Sequence, residues 1–438
     1  MTPGGRLAAA IEVLADVEAR HRPVASALKD WGLGHRFAGS KDRAAIGNIV
    51  YDAVRWRASS GWIMGDDSPR AVVLATVARR WGLGSAGVAR QIEGDAHGPS
   101  PLTAIESGRL EAADLAAAPP HIRADIPEWI APRLERVFGE EWIAEGEAQA
   151  LRPPLDMRAN PLKADREKAL NALARFGAVA TAFAPQGMRI PATVAEGRHP
   201  NVQVEPAFQK GWFEVQDAGS QLAALMVGAK PGEQILDLCA GGGGKTLALA
   251  ARMENKGQLF ATDADPARLA PIFDRLKRAG TRNVQVRQAA SSLDDLAGRM
   301  DAVLIDAPCT GSGTWRRRPD AKWRLTERAV GERVAEQRAL LAEAAGYAKP
   351  GGRLVYVTCS LLPDENSDQI KAFVADYRGF KTLAGNEIIG QSGLDDAARS
   401  RLAEAALLLP TGLMLSPRRS GTDGFFIAVL LRGRPPSP

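Results

Sequence analysis

Cysteine is scarce in this chain: three in 438 residues, at Cys239, Cys309 and Cys359. Three cannot build a disulfide framework, and these stand too far apart for a zinc cluster. Long apolar runs are also missing, and none reaches the ~20 residues of a membrane span. The first helix-like stretch, RLAAAIEVLADVEAR, carries Glu12, Asp16 and Glu18, so it is not a signal peptide. Strong charge of one sign is absent too. A net charge of +5 and a pI of about 9.2 permit a polyanionic partner without demanding one. With 45% apolar residues and 24% charged residues evenly spread, the chain is not largely disordered. The expectation is a soluble cytoplasmic protein that holds no metal and needs to be no more than a monomer.

Three regions follow from the pattern along the chain. Residues 1–118 read as a helical domain: Leu7, Ile11, Leu14 and Val17 share one helix face, and a second helix runs around KDRAAIGNIVYDAVRWR. Pro119 and Pro120 read as a linker. Residues 121–220 read as a small α/β module, with two helices in PEWIAPRLERVFGEEWIAEGEAQAL, a strand in LDMRANPL and a glycine-terminated helix in DREKALNALARFG. Over 221–432 short apolar runs alternate with helical stretches: QILDLC, QLFATD, VQVRQA, AVLIDAP and RLVYVTC. That alternation predicts an α/β, doubly wound parallel sheet, to which the last run, FFIAVLL, adds an edge strand. Ligands of such sheets bind outside the carboxyl ends of the strands. Cys239, Asp263, Asp306, Cys309 and Cys359 all end or follow strands.

The segment ILDLCAGGGGKT ends one strand, runs through Gly241, Gly242, Gly243 and Gly244, and opens a helix. A nucleoside-triphosphate loop needs a glycine where Cys239 stands, and no acidic magnesium motif follows a suitable strand. An S-adenosylmethionine loop fits better, because Asp263 ends the next strand and an acid there accepts from ribose hydroxyls. A tight turn with surface acids is the other reading open here.

Two later strands end in Asp306-Ala307-Pro308-Cys309 and Thr358-Cys359-Ser360. If these strands are neighbours, both thiols enter one pocket above the glycine loop. Carbon 5 of cytosine is too weak a nucleophile to accept a methyl group directly. A thiolate added at ring position 6 pushes electron density onto carbon 5, which splits one hard step into easier ones. Asp306 has the chemistry to assist at ring nitrogen 3, and a second group must help remove the carbon 5 proton.

These residues resemble the Sun (Fmu) family of RNA cytosine-5 methyltransferases over about 120–432. The strings that carry the likeness are VQDAGSQLAAL, LDLCAGGGGKT, ATDADPARL, FDRLKRAG, LIDAPCTGSGTWRRRPDAKWR and YVTCSLLPDEN. The resemblance implies a Rossmann-like methyltransferase domain at 221–432, with S-adenosylmethionine as cofactor and RNA, ribosomal RNA foremost, as partner. It implies a small RNA-binding module before that domain. Cys359 matches the nucleophile and Cys309 the cysteine implicated in product release. Cys239, Ala240, the four glycines and Lys245 match the cofactor loop. Asp263 matches the acid on the cofactor ribose, and Asp306 an acid between cofactor and base.

Two departures stand out. The family loop usually reads Ala-Pro-Gly-Gly-Lys, whereas this one lacks the proline and has an extra glycine, which predicts a looser loop. Where the family often has an acid near the adenine, this chain has Ala290, so adenine contacts there are expected from backbone alone. KDRAAIGNIVYDAVRWR also gives the first region a likeness to NusB-like helical domains.

Arg316, Arg317 and Arg318 follow the Pro-Cys motif, with Trp315 and Trp323 interleaved among further cations. Such a segment predicts phosphate contact and base stacking, with a solvated helix face as the alternative. A non-catalytic RNA-binding assembly factor that kept the fold is the competing function.

Overall fold

The structure is a computed structural model and describes residues 1–288 and 292–434. Ala290 lies outside the described residues. The chain forms two compact units, neither continuous in sequence. The first comprises Met1–Pro153, Ala192–His199 and Thr314–Leu325; the second comprises Pro154–Pro191, Pro200–Gly313 and Thr326–Pro438. Among the described residues no helix is long and apolar enough to cross a membrane.

The first unit is helical. Its opening helix, Pro3–Arg20, starts where the Thr2 hydroxyl accepts the Gly5 N–H at 3.1 Å and Pro3 fills a position that needs no donor. Leu7, Leu14 and Val17 are buried on its inner face as the spacing predicts, and Ile11 is half-buried. Helix Ser40–Arg55 packs Ile46, Ile49, Val50 and Ala53 into the same core. The boundary read at Pro119–Pro120 falls inside this unit. Pro120 opens the helix Pro120–Arg123, and the buried Asp125 carboxylate behind it accepts the Ser59 N–H at 3.0 Å. A proline at a helix start gives the same local signal as a linker. Helices Ala131–Phe138 and Trp142–Ala150, expected in the small α/β module, also belong to this unit.

The second unit holds two sheets. The small one is antiparallel, with β1 (Leu155–Ala159), β2 (Val179–Ala180), β3 (Gly187–Ile190) and β4 (Phe213–Val215) in the order β2-β3-β1-β4. The large one contains β5 (Gln234–Asp237), β6 (Gln258–Ala261), β7 (Val284–Val286), β8 (Met300–Asp306), β9 (Ala348–Thr358), β10 (Phe380–Thr382), β11 (Leu407–Leu409), β12 (Gly412–Leu415) and β13 (Phe425–Arg432). Its order is β11-β12-β13-β9-β8-β5-β6-β7, with β10 paired to β13. Strands β7, β6, β5, β8 and β9 are parallel, as the alternating pattern predicts.

The expectation for FFIAVLL is corrected. β13 is an interior strand, antiparallel to both β9 and β12, and its first six residues are buried. A continuous apolar run marks a strand covered on both faces, and an edge strand has no need of one. In the register of β8 with β9, Asp306 lies opposite Val357, so the Pro-Cys and Thr-Cys motifs leave the sheet side by side.

Candidate active site

The glycine loop leaves β5 with its backbone tied to both neighbouring strands. Leu238 N–H donates to the Leu304 carbonyl at 2.9 Å and Ala240 N–H to Thr262 at 2.8 Å. Gly241 and Gly243 have φ of +49° and +81°, and a Cβ on Gly243 would come within 2.5 Å of Ile272. Helix Gly244–Arg252 follows. The loop with its extra glycine is braced from outside. Arg275 donates to the Gly242 carbonyl at 2.6 Å while the buried Glu214 holds the same guanidinium at 3.1 Å. Asp263 accepts the Gly241 N–H at 2.9 Å and the Asp265 N–H at 2.9 Å. Side chains from three other elements thus fix a loop whose own sequence is permissive.

Asp263 is 2% exposed, so its observed work is to shape the loop. A ribose contact requires displacement of a neighbour, and the mostly exposed Arg268, 3.8 Å from its carboxylate, is the one that moves at least cost. Asp237 is deeper. Thr246 Oγ1 donates to its Oδ2 at 2.7 Å, while Oδ1 is buried without a hydrogen-bond partner. Burial pushes the Asp237 carboxyl up to about 7. An unfolded Asp ionises near ~3.9, so the folded chain binds more protons between those values and loses stability as pH rises through that window. Asp237→Asn is neutral throughout. Its melting temperature relative to the native chain should therefore climb from pH 4 to pH 8, measured without cofactor. A constant difference across that range would mean that Asp237 is already ionised at pH 4.

The two predicted cysteines come together. Cys309 Sγ lies 3.4 Å from Cys359 Sγ, both thiols being half-buried. The thiol of Cys359 beside it, together with burial, holds the Cys309 thiol well above the usual cysteine range. Burial pushes the Cys239 thiol up as well. Asp306 accepts from Lys245 Nζ at 2.7 Å, which joins the end of β8 to the first turn after the glycine loop. Asp306 keeps 35% of its side chain exposed while Lys245 keeps 8%, so the carboxylate is the accessible partner.

Glu365, to which the sequence assigned no role, ties both cysteine loops together. One carboxylate oxygen accepts the Thr310 N–H at 2.8 Å and Gln337 Nε2 at 3.0 Å. The other accepts the Thr310 hydroxyl at 2.6 Å and the Ser360 hydroxyl. Glu365 is fully buried, and every donor to it sits next to a cysteine or on the helix Glu327–Tyr347 behind them. Asn366 adds a clamp, accepting from Thr358 Oγ1 at 2.6 Å and donating to the Ser360 carbonyl at 2.9 Å. The available signal was PDEN, four polar or turn residues directly after Leu361-Leu362.

The arginine cluster belongs to the helical unit. Arg316 is only 4% exposed, and its carbonyl accepts from Arg55. Arg317 is half-buried and Arg318 exposed. Trp315 is buried, Trp323 donates to the Val54 carbonyl at 2.8 Å, and the buried Lys322 donates to the Arg55 carbonyl at 2.9 Å. Burial lowers the Lys322 ammonium to about 8. Trp315 and Lys322 are therefore packing and anchoring groups, and the base-stacking role expected of Trp315 is corrected.

Comparison with known proteins gives concordant matches. Residues 224–431 match the family model described as 16S rRNA methyltransferase RsmB/F, and residues 126–195 match an RsmF/B-like ferredoxin-like domain. The chain is 33% identical over 314 residues to a probable ribosomal RNA small subunit methyltransferase B of Synechocystis sp., covering 70% of this chain and 66% of that protein. It is 38% identical over 254 residues to ribosomal RNA small subunit methyltransferase B of Klebsiella pneumoniae, covering 57% of each. It thus spans somewhat under two thirds of the length of these relatives. The crystal structure of PH0851 superposes with a TM-score of 0.71 at 26% identity, covering 98% of this chain and 99% of that one. A methyltransferase homologue from Pyrococcus horikoshii superposes with a TM-score of 0.57 at 28% identity, covering 73% of this chain and all of that one. With a methyltransferase domain, a ferredoxin-like domain and relatives that all agree, the chain belongs to the 16S rRNA methyltransferase RsmB/F family, whose members use S-adenosylmethionine.

Proposed function

We propose that this protein methylates carbon 5 of a cytosine in small-subunit ribosomal RNA, with Cys359 as covalent nucleophile. The observation that carries the reading is the pair of thiols 3.4 Å apart at the ends of adjacent parallel strands. The cofactor fits the residues present. Positive-φ glycines leave the loop open to close approach, Asp237 Oδ1 is a buried acceptor with no partner, and Asp306 is an accessible acid joined to the loop. Asp237, Asp263 and the loop from Cys239 to Lys245 would hold the cofactor. When bound, S-adenosylmethionine supplies an electrophilic methyl group.

The remaining chemistry belongs to the protein. The target cytosine must be single-stranded or flipped from its helix to reach the thiol. Cys359 adds as thiolate to ring position 6, and Asp306 in its acid form donates its proton to ring nitrogen 3, which has only a lone pair to offer. Carbon 5 then takes the methyl group and must lose its proton before the thiolate is eliminated. Cys309 is the group placed to accept that proton. As long as Cys359 is an ionisable thiol beside it, Cys309 resists ionisation. Once Cys359 is a neutral thioether, its share of that opposition is removed, while burial and the Glu365 carboxylate still act against the charge. The adduct thereby activates the base that resolves it.

The test is transfer of labelled methyl to small-subunit RNA from cells lacking the protein, with 5-methylcytosine mapped in the product. A single labelled cytosine is expected. A folded, cofactor-binding protein that transfers nothing would favour the non-catalytic RNA-binding factor.

A further inference from the structure

The helical unit contains a cavity of about 210 Å³ whose wall has four arginines and one acid. Asp52 and Arg55 come from helix Ser40–Arg55, and Arg152 follows helix Trp142–Ala150. Arg198 and His199 come from the 192–199 segment, and Arg317 from the 314–325 segment. Asp52 is already committed. Arg152 grips it through two nitrogens at 3.0 and 2.6 Å, and Trp81 Nε1 adds a third bond at 2.9 Å. The arrangement is fixed, because Arg152 also holds the Ala195 carbonyl at 2.7 Å and Asn48 holds that of Gly197 at 3.1 Å.

The Arg55 side chain, 7% exposed, directs its Nε at Asp52 Oδ1, 3.3 Å away, so Arg55 and Arg152 share the one carboxylate. His199 Nε2 donates to the Pro153 carbonyl at 3.1 Å, and its buried Nδ1 has no hydrogen-bond partner. Four guanidiniums against a single carboxylate make the hollow cationic, which favours an anion with several acceptor oxygens. The cavity is smaller than the ~300–1,000 Å³ of ordinary small-molecule pockets, which suits one phosphate group and not a whole nucleotide.

We infer that this cavity binds a backbone phosphate of the RNA substrate, a contact that positions the RNA without reading its sequence. The inference rests on the RNA reading above. It is tested by binding alone, so a failure of methyl transfer leaves it standing.

The experiment is equilibrium binding of a small-subunit RNA transcript to the full-length protein across about 50–200 mM salt. Arg198 is exposed, so Arg198→Ala is expected to fold. Losing one phosphate contact should flatten the slope of log affinity against log salt by about 0.7–0.9. Arg198→Lys should restore it. Arg90→Ala, at an exposed arginine of the same unit outside the cavity, should leave it unchanged. An unaltered slope in Arg198→Ala, or an equal loss in Arg90→Ala, overturns the site. A second arm adds inorganic phosphate. If it raises the melting temperature of the native chain and not of Arg198→Ala, while the RNA slope is the same for both, the cavity takes free phosphate and the RNA assignment fails.

Discussion

Cys309→Ala protein mixed with cofactor and substrate RNA should accumulate as a covalent protein–RNA complex that survives denaturing electrophoresis and disappears on nuclease treatment. The variant loses the 3.4 Å contact between the two sulfurs but keeps Cys359 itself, and Cys309 touches neither the glycine loop's supports nor the Lys245–Asp306 pair. Addition at ring position 6 and methyl transfer proceed, and elimination stalls for want of a base at carbon 5. A positioned general base contributes on the order of 10²–10⁴ in rate, so turnover should fall by that factor. Cys359→Ala should form neither adduct nor product, and the double variant should match it. An adduct with Cys359→Ala and none with Cys309→Ala would reverse the roles. Normal turnover by both single variants would remove covalent catalysis from the account.

Glu365→Ala should do comparable damage without touching the substrate. The change removes the acceptor of four bonds at once, from the Thr310 N–H and hydroxyl, the Ser360 hydroxyl and Gln337 Nε2; Gln337 keeps its bond to the Pro308 carbonyl and Ser360 its contact with the Ser312 hydroxyl. A buried donor left unpaired costs about 1–3 kcal/mol, and entry of water recovers part of that, so a loss on the order of 4 kcal/mol is expected in urea unfolding. The two cysteines sit beside the freed residues, and small misplacements of reacting groups cost ~100-fold or more in rate. Glu365 is a positioning residue, so Glu365→Gln should restore much of the stability through its remaining oxygen. Cofactor affinity should stay within about twofold in both variants, because no Glu365 bond reaches the glycine loop. A variant with full stability and full turnover would leave the carboxylate without a role.

The strand ends were legible because each combines a short apolar run with a chemically distinctive terminus. LIDAPC and YVTCS announce both the element and its reacting group, and the parallel neighbours β8 and β9 put them together. Glu365 was not legible, since its role arises only when residues 310, 337 and 360 converge on it from separate elements. The bracing of the glycine loop was hidden for the same reason: Arg275, held by Glu214, and Asp263 reach it from distant parts of the sequence. Composition also misled at Arg316. A run of three arginines reads as one solvated cluster, yet burial falls from Arg316 to Arg318 because the segment packs on helix Ser40–Arg55. The membership of 314–325 in the helical unit leaves no trace in periodicity or charge.

The sulfur proposed to attack the base is that of Cys359. RNA carrying 5-fluorocytosine at the target position tests it directly, because fluorine on carbon 5 cannot leave as a proton does and the adduct is trapped in the native protein. Protease digestion and mass spectrometry of the trapped complex then identify the modified peptide. A methylated fluorocytosine nucleotide on the peptide containing Cys359, with the Cys309 peptide unmodified, is the predicted result; the nucleotide on the Cys309 peptide would contradict the account.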